Sequence, residues 1–169
     1  MATEDLKSMA VDVVNRILSR RLKRGGVSAS QPQTYFQCEV EDPRSFPGGS
    51  EVRVHIWGHW SDARVELDAQ NGELMAYSID RYGDPRNDEE LTQEEALANV
   101  QNAIEIPADA VLKSFYHFEF VPGRKLARLE WERIYQGLRV EGDYLYVSIH
   151  PKTLRIVEFA RKWRKLRLT

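Results

Sequence analysis

The sequence predicts an α+β fold built from two similar units, each an amphipathic helix packed on an antiparallel β-meander. In each half, apolar residues recur first at steps of three or four positions and then at every second position, as in a helix followed by strands. In addition, the hairpin pattern VELDAQNGELMAY at 65–77 returns 82 positions later, at 147–159. We therefore expect a tandem repeat with units at 1–80 and 91–169 and a connector at 81–90.

Length and composition are those of a globular protein. The chain of 169 residues is long enough for one ordinary domain or two small ones, and its net charge of −2 gives no indication of nucleic-acid binding. Cys38 is the single cysteine, which excludes an intramolecular disulfide and a cysteine-based metal cluster. The first residues include acids and no run of about 20 apolar residues occurs, so we expect neither a secretory signal nor a membrane span. A complete chain is expected in the cytoplasm, and an excised domain at the cell envelope or outside the cell.

The first unit begins with a helix and continues as strands. An apolar stripe at helical spacing follows Thr3, a suitable N-cap, and ends before Gly25-Gly26. Beyond it the apolar period becomes two, and Asn71-Gly72 supplies a hairpin turn. A turn-rich loop with two prolines is expected at 42–50. The predicted strands are 35–40, 52–57, 65–67 and 73–79.

The second unit repeats this order. Thr92 and Glu95 form a capping box at the start of a helix, with Leu91 placed ahead of it as a hydrophobic staple. Pro122-Gly123 marks a turn between two of the strands that follow. The predicted strands are 115–121, 126–135, 145–149 and 154–159.

The two hairpins share six positions of mixed chemistry. A helix on a meander of about 80 residues has a thin core, so a second copy would add buried surface or shield a sheet edge. Chance similarity between two common hairpins is the alternative. In the alignment, the residues Val65, Leu67, Asp68, Asn71, Leu74 and Tyr77 fall opposite Val147, Ile149, His150, Thr153, Ile156 and Phe159.

These segments resemble a known family. The element VELDAQNGELMAYSID is similar to the repeat of PepSY domains, and the stretch from LTQEEALANV to IVEFARKW is similar to the related YcdB/YcdC-type repeat. The same arrangement occurs in propeptides of thermolysin-like metalloproteases. The resemblance covers about residues 50–163, and the glycine usual in the last turn is Gly72 in the first hairpin but Leu154 in the second, which leaves the second turn type open. The residues that match best are Trp131, Gly137, Val140, Gly142 and Asp143.

The resemblance implies a non-catalytic domain of PepSY or cystatin-like shape that binds and restrains a peptidase as an inhibitor, folding assistant or regulator. The chain has no HExxH motif, so a peptidase would be bound in trans. We expect a protein or peptide partner on the sheet face opposite the helices, where alternation places side chains typical of interfaces. The predicted binding residues are Arg53, His55, Trp57, Tyr144 and Tyr146.

Two alternatives remain open for these residues. The two units could bury the rings against each other, which would leave no open binding face. The domain could also hold a small ligand between helix and sheet, in a pocket lined by Tyr77, Trp131 and Phe159. The sequence gives no oligomeric state and identifies no partner.

No residue set predicts catalysis, a metal site or a cofactor. His55 and His59 would share one strand face about 13 Å apart, too far to bind one metal ion. Cys38 lies between acidic neighbours, Glu39 and Glu41, which disfavour a reactive thiolate. We therefore predict a protein that is not an enzyme.

The ending FARKWRKLRLT is the most strongly basic stretch of the chain. As an amphipathic helix it could lie on an anionic membrane or on RNA. We favour strand continuation or docking within the molecule, where the acidic 80–95 segment is an available partner.

Overall fold

The structure is a computed structural model that describes residues 2–18, 37–46, 49–57, 61–81 and 86–164. Two helices and nine strands lie within these ranges, in the predicted order of helix, strands, helix, strands. The elements are α1 (Thr3–Leu18), β1 (Gln37–Val40), β2 (Arg44–Phe46), β3 (Gly49–Trp57), β4 (Ser61–Asp68), β5 (Leu74–Arg81), α2 (Gln93–Ala103), β6 (Ala110–Val121), β7 (Arg124–Tyr135), β8 (Leu138–Ile149) and β9 (Ile156–Lys162).

All nine strands form one antiparallel sheet, so the fold is α+β as predicted. Eight strands lie in the order β1-β3-β4-β5-β9-β8-β7-β6, and β2 pairs with the first residues of β3. Strands β3 to β5 form one meander and β6 to β9 form another. The last strands of the two meanders, β5 and β9, pair with each other in the middle of the sheet.

The central pair of β5 and β9 joins corresponding residues of the two hairpins. Tyr77 lies opposite Phe159, the residue 82 positions later, and Ala76 lies opposite Ala160. The side chains of Tyr77 and Phe159 are each 1% exposed. The pairing covers the edge that each meander would otherwise expose.

Both helices contribute to one core on the same face of the sheet. Helix α1 packs on β1, β3 and β4, and α2 packs on β7. Thr92 Oγ1 accepts a hydrogen bond from the Glu95 N–H at 3.2 Å, which is the predicted cap, and Leu91 is buried. The core is a single apolar cluster that crosses the whole sheet, and its fully buried strand residues include Val54, Val65, Tyr77, Phe159, Val147 and Leu129.

The two hairpin turns have the same backbone conformation. Gly72 has φ 72° and Leu154, the corresponding residue, has φ 59°. The Gly72 N–H donates to the Asp68 carbonyl at 2.9 Å, and the Leu154 N–H donates to the His150 carbonyl at 2.7 Å. A left-handed conformation costs a leucine roughly 1–2 kcal/mol. Burial of the Leu154 side chain in the core offsets this cost, and the missing glycine does not change the turn.

Side chains close the two turns in the same way. Asp68 Oδ1 accepts hydrogen bonds from the N–H groups two and three residues further on, at 2.8 and 3.1 Å. His150 Nδ1 accepts from the N–H groups at the same two positions, at 3.3 and 3.2 Å. Aspartate and neutral histidine thus serve as equivalent acceptors, which explains how an acid in one hairpin aligns with an imidazole in the other.

Two segments differ from the sequence prediction. The 42–50 segment, predicted as a loop, contains β2, because Arg44 pairs with Glu51 and Phe46 with Gly49. Strand β6 starts before the predicted residue 115, because its pairing with β7 extends back to Ala110.

The register of β8 can be tested with two matched substitutions. Val147 is fully buried, so Val147→Asp is expected to lower the free energy of unfolding by several kcal/mol, out of a total of about 5–15. Leu138 in the same strand is 73% exposed, so Leu138→Asp should change the free energy of unfolding by less than about 0.5 kcal/mol. Chemical denaturation measures both values. A mild Val147→Asp variant would contradict the register.

Candidate functional site

The sheet face opposite the helices carries the polar side chains of the strands, because successive side chains of a strand point to opposite faces. Arg53 of β3 is paired with Glu66 of β4, between core residues of both strands. On β8, Tyr144 and Tyr146 alternate with buried Leu145 and Val147. Charged and aromatic residues from both meanders thus share one open surface.

A groove of about 760 Å³ lies on this face, over the pairing of β5 with β9. Small side chains form its floor, namely Ala76, Ser78 and Ala160, and they leave space between the larger residues of the neighbouring strands. The larger residues that border the groove include Arg53, Arg64, Glu66, Tyr144, Tyr146, Glu158 and Lys162.

One wall of the groove is an ion pair between β3 and β4. Arg53 donates to Glu66 Oε1 through Nε at 3.0 Å and through Nη2 at 2.8 Å. Burial raises the pKa of the nearby Glu51 carboxyl, and the charge of Glu66 raises it further. The two hydrogen bonds from Arg53 pair the carboxylate of Glu66. Because they are charge-assisted, they hold this wall in place.

Two cations of the groove have no acidic partner among the described residues. They are Arg64 on β4 and Lys162 at the end of β9, and both are exposed. Glu66 and Glu158, in contrast, are already paired with arginines. With Glu51 as a third acid, the described lining of the groove carries five cations and three acids, so its net charge is positive.

The opposite wall is aromatic. The rings of Tyr144 and Tyr146 stack with centroids 6.0 Å apart and an interplanar angle of 16°. Tyr146 Oη donates to Glu158 Oε1 at 3.2 Å. Burial, with the adjacent Glu158 carboxylate, raises the pKa of Tyr146 to about 12. Tyr144 is 45% exposed, so one face of the pair is accessible from the groove.

Arg128 of β7 fixes the tyrosine wall from behind. Its Cζ lies 4.7 Å from the ring centroid of Tyr146 and 4.8 Å from that of Phe118. Its Nε donates to Ser148 Oγ at 3.0 Å and its Nη2 to Glu158 Oε2 at 2.8 Å. The guanidinium is held by two rings and two hydrogen bonds, which orders Tyr146 before any partner binds.

The structure brings three of the five predicted binding residues to the groove, namely Arg53, Tyr144 and Tyr146. His55 lies on the same face, opposite Arg64, but does not border the groove. Trp57 ends β3, and its side chain lies outside the described residues. The units lie side by side in one sheet, so the tyrosine pair is not buried between them.

Sequence reasoning missed four residues that shape the groove. They are Glu66, Phe118, Arg128 and Glu158, each at a polar-face position of its strand. Alternation alone could have assigned them to this face. Their mutual contacts depend on strand order and register, which alternation does not give.

No group of three or more histidine, cysteine or acidic residues with metal-binding geometry occurs in the ranges that the structure describes. Cys38 lies in β1 with its backbone opposite Ile56, and its side chain is not described. His59 lies outside the described residues. Within the same ranges, no helix is long and apolar enough to cross a membrane.

The basic ending continues as a strand and then docks within the molecule. Residues up to Lys162 belong to β9, which confirms strand continuation over the helical alternative. Arg164 Nε then donates to Asp143 Oδ1 at 2.6 Å, and Trp163 Nε1 donates to Asp109 Oδ1 at 3.0 Å. Arg161 of the same stretch pairs with Glu73 at 3.5 Å, so the internal partners are these three acids, which all lie outside the 80–95 segment. Residues 165–169 lie outside the described part.

Arg133 links two of these acids. It contacts Asp109 at 2.6 Å and the fully buried carboxylate of Asp143 at 2.9 Å. Burial by itself raises the pKa of Asp109, but hydrogen bonds from Arg133 and Trp163 outweigh it and lower the pKa. A buried carboxylate is tolerated only when it is paired, and Asp143 has two arginines, Arg133 and Arg164.

The ionisation of Tyr146 tests the geometry of the tyrosine wall. Its pKa of about 12 lies above the value of about 10 expected for an unfolded chain. This group's contribution to stability is therefore complete below about pH 10 and is lost as the pH rises towards 12. A spectrophotometric titration should show a phenolate step near pH 12 that Tyr146→Phe removes and Tyr144→Phe leaves in place. A phenolate step near pH 12 that persists in Tyr146→Phe would contradict the contact with Glu158.

Comparison with known proteins agrees with this fold. The family model described as YcdB, YcdC repeated domain matches residues 32–163. Among solved structures, the C-terminal domain of YpeB from Bacillus megaterium is similar, with a TM-score of 0.63 at 10% sequence identity over 100% of this chain and 69% of that chain. At this identity the likeness shows the fold alone, which is PepSY-like. Comparison with curated proteins gives no match. Because the family model spans most of the sequence, the chain belongs to the YcdB/YcdC repeated-domain family.

Proposed function

We propose that this domain is a non-catalytic module that binds an extended protein or peptide segment in the groove over β5 and β9. The observation that carries the proposal is the groove itself, a space of about 760 Å³ with a small-residue floor between an arginine wall and a tyrosine wall. Tyrosine and arginine are enriched where proteins meet, and ordered aromatic rings bind with little loss of conformational entropy.

The shape of the groove favours a chain segment over a compact ligand. The floor residues Ala76, Ser78 and Ala160 would allow a main chain to approach the sheet closely. Both walls are already ordered by internal contacts, Arg53 by Glu66 and Tyr146 by Arg128. Binding would therefore cost little reorganisation of the domain.

A peptidase acting in trans is the partner that the family resemblance suggests, with this domain as its regulator or inhibitor. The chain has no HExxH motif of its own, so it supplies no metallopeptidase centre of that kind. The groove supports this role because peptidases act on extended chain segments. A domain that binds such a segment can keep it from the enzyme.

The alternative, a small-ligand pocket between helix and sheet, has less support. The residues expected to line it, Tyr77, Trp131 and Phe159, are buried members of the continuous core. The groove described above lies over the other face of the sheet. Tyr77 and Phe159 border it at the seam, but each is only 1% exposed.

We also propose that the chain is a duplication, with units 1–80 and 91–169 and a connector at 81–90. Three observations support it. Each helix packs on strands of the meander that follows it, the two hairpins share the turn of Gly72 and Leu154, and corresponding residues Tyr77 and Phe159 meet at the seam.

The groove can be tested with a phage library of random linear peptides, selected on the full chain and measured by fluorescence anisotropy. Tyr144→Ala combined with Tyr146→Ala is expected to weaken the selected peptides by at least about tenfold, as truncation of an interface hot spot does. Tyr135→Ala, a tyrosine that does not border the groove, is the control and should bind as the unchanged protein does. Equal binding by the double variant would contradict the proposal.

We expect no hydrolase or transferase activity from the purified protein, with or without added divalent metal, because the sequence carries no recognised catalytic motif and the described residues hold no metal-binding group. Assays with peptide and ester substrates measure this. Reproducible turnover that is lost on changing His55, His59 or Cys38 to alanine would contradict the non-catalytic proposal.

A further inference from the structure

Strand β6 is an open edge of the sheet. It runs over 12 residues, Ala110–Val121, and among the described strands it pairs with β7 alone. Along its other side, the N–H and C=O groups of alternate residues point away from the sheet, where they can pair with another strand. An edge of this length is a template for strand addition unless something covers it.

The same strand concentrates exposed apolar surface. Four of the six exposed large hydrophobic residues among the described residues lie on it. They are Val111 at 47%, Tyr116 at 39%, Phe120 at 50% and Val121 at 42% exposure. Proteins that remain monomeric usually protect such edges with charges, yet β6 carries one cation and one anion whose charges cancel, Lys113 and Glu119.

The sequence of β6 is complementary to itself in the antiparallel direction. When two copies are paired with Tyr116 opposite Tyr116, Lys113 of each copy falls opposite Glu119 of the other. In the same register Phe115 falls opposite His117, and both lie within the stretch that pairs regularly with β7. Neither Lys113 nor Glu119 has an ion-pair partner among the described residues of its own chain.

We propose that β6 pairs with β6 of a second copy of this chain, antiparallel and centred on Tyr116, to form a continuous sheet across a symmetric dimer. A twofold axis requires a self-complementary surface, and opposite charges placed at equal distances on either side of the axis provide it. The pairing of β6 with β7 is regular from Ser114 to Glu119, and the register shifts fall at Lys113 and Phe120. Glu119 therefore ends the regular edge centred near Tyr116, and Lys113 directly precedes it.

A strand of unrelated sequence is a poorer fit for this edge. It would have to supply an acid opposite Lys113 and a base opposite Glu119 at a fixed separation, or leave both charges facing unmatched groups. A second copy supplies both without further conditions. The dimer leaves the groove over β5 and β9 open, because that groove lies at the middle of the sheet.

Sedimentation equilibrium of the full chain over a range of concentrations tests the proposal. We expect reversible dimerisation that Lys113→Glu and Glu119→Lys each weaken by about tenfold or more, because each variant places two like-charge pairs in the interface. The double variant carrying both changes should dimerise as the unchanged protein does. Lys152→Glu, which changes an exposed cation in the turn between β8 and β9, is the control and should have no effect on dimerisation.

Mixing the two single variants separates this interface from any other. Lys113→Glu carries two acids on its edge and Glu119→Lys carries two bases, so together they should form a heterodimer more readily than either forms a homodimer. Thermal melts check that each variant is folded, which is expected because both side chains are exposed. A protein that stays monomeric, or a dimer indifferent to these charges, would overturn the proposal.

Discussion

The pairing of β5 with β9 is the contact on which the rest of this molecule depends. Each meander alone has a thin core and an exposed last strand, and the pairing removes that edge from both. It places Tyr77 beside Phe159 at the centre of a core that extends without interruption beneath α1 and α2. The two meanders thereby share one buried core.

The same pairing creates the groove. On the face away from the helices, the seam carries Ala76, Ser78 and Ala160, while the neighbouring strands carry arginine, glutamate and tyrosine. A depression results because small side chains lie between large ones, and the seam is the only place where strands of both meanders meet within the described sheet. The arginine wall comes from the first meander and the tyrosine wall from the second, so neither meander alone would form it.

Several charges of the sheet are paired within the molecule, on both of its faces. Arg128 pairs with Glu158, and buried Asp143 is held between Arg133 and Arg164. Such pairs are costly to bury and become acceptable only with several hydrogen bonds, which these have. The basic ending consequently closes the second meander by binding its own acids, and its composition by itself is a poor guide to an external partner.

Periodicity and capping in the sequence determined the α+β class, the order of the elements and which residues face the core. These features depend on local alternation and on single residues such as Thr92 and Gly72. The 82-residue spacing of the hairpins also separates Tyr77 from Phe159, the central pair of the seam. Only the tertiary structure decided that the two meanders join through β5 and β9, that Arg128 lies between Phe118 and Tyr146, and that β6 is left as an edge. Strand order and cross-strand contacts join residues far apart in the chain, and a pattern that repeats every two residues is the same whichever strand lies alongside.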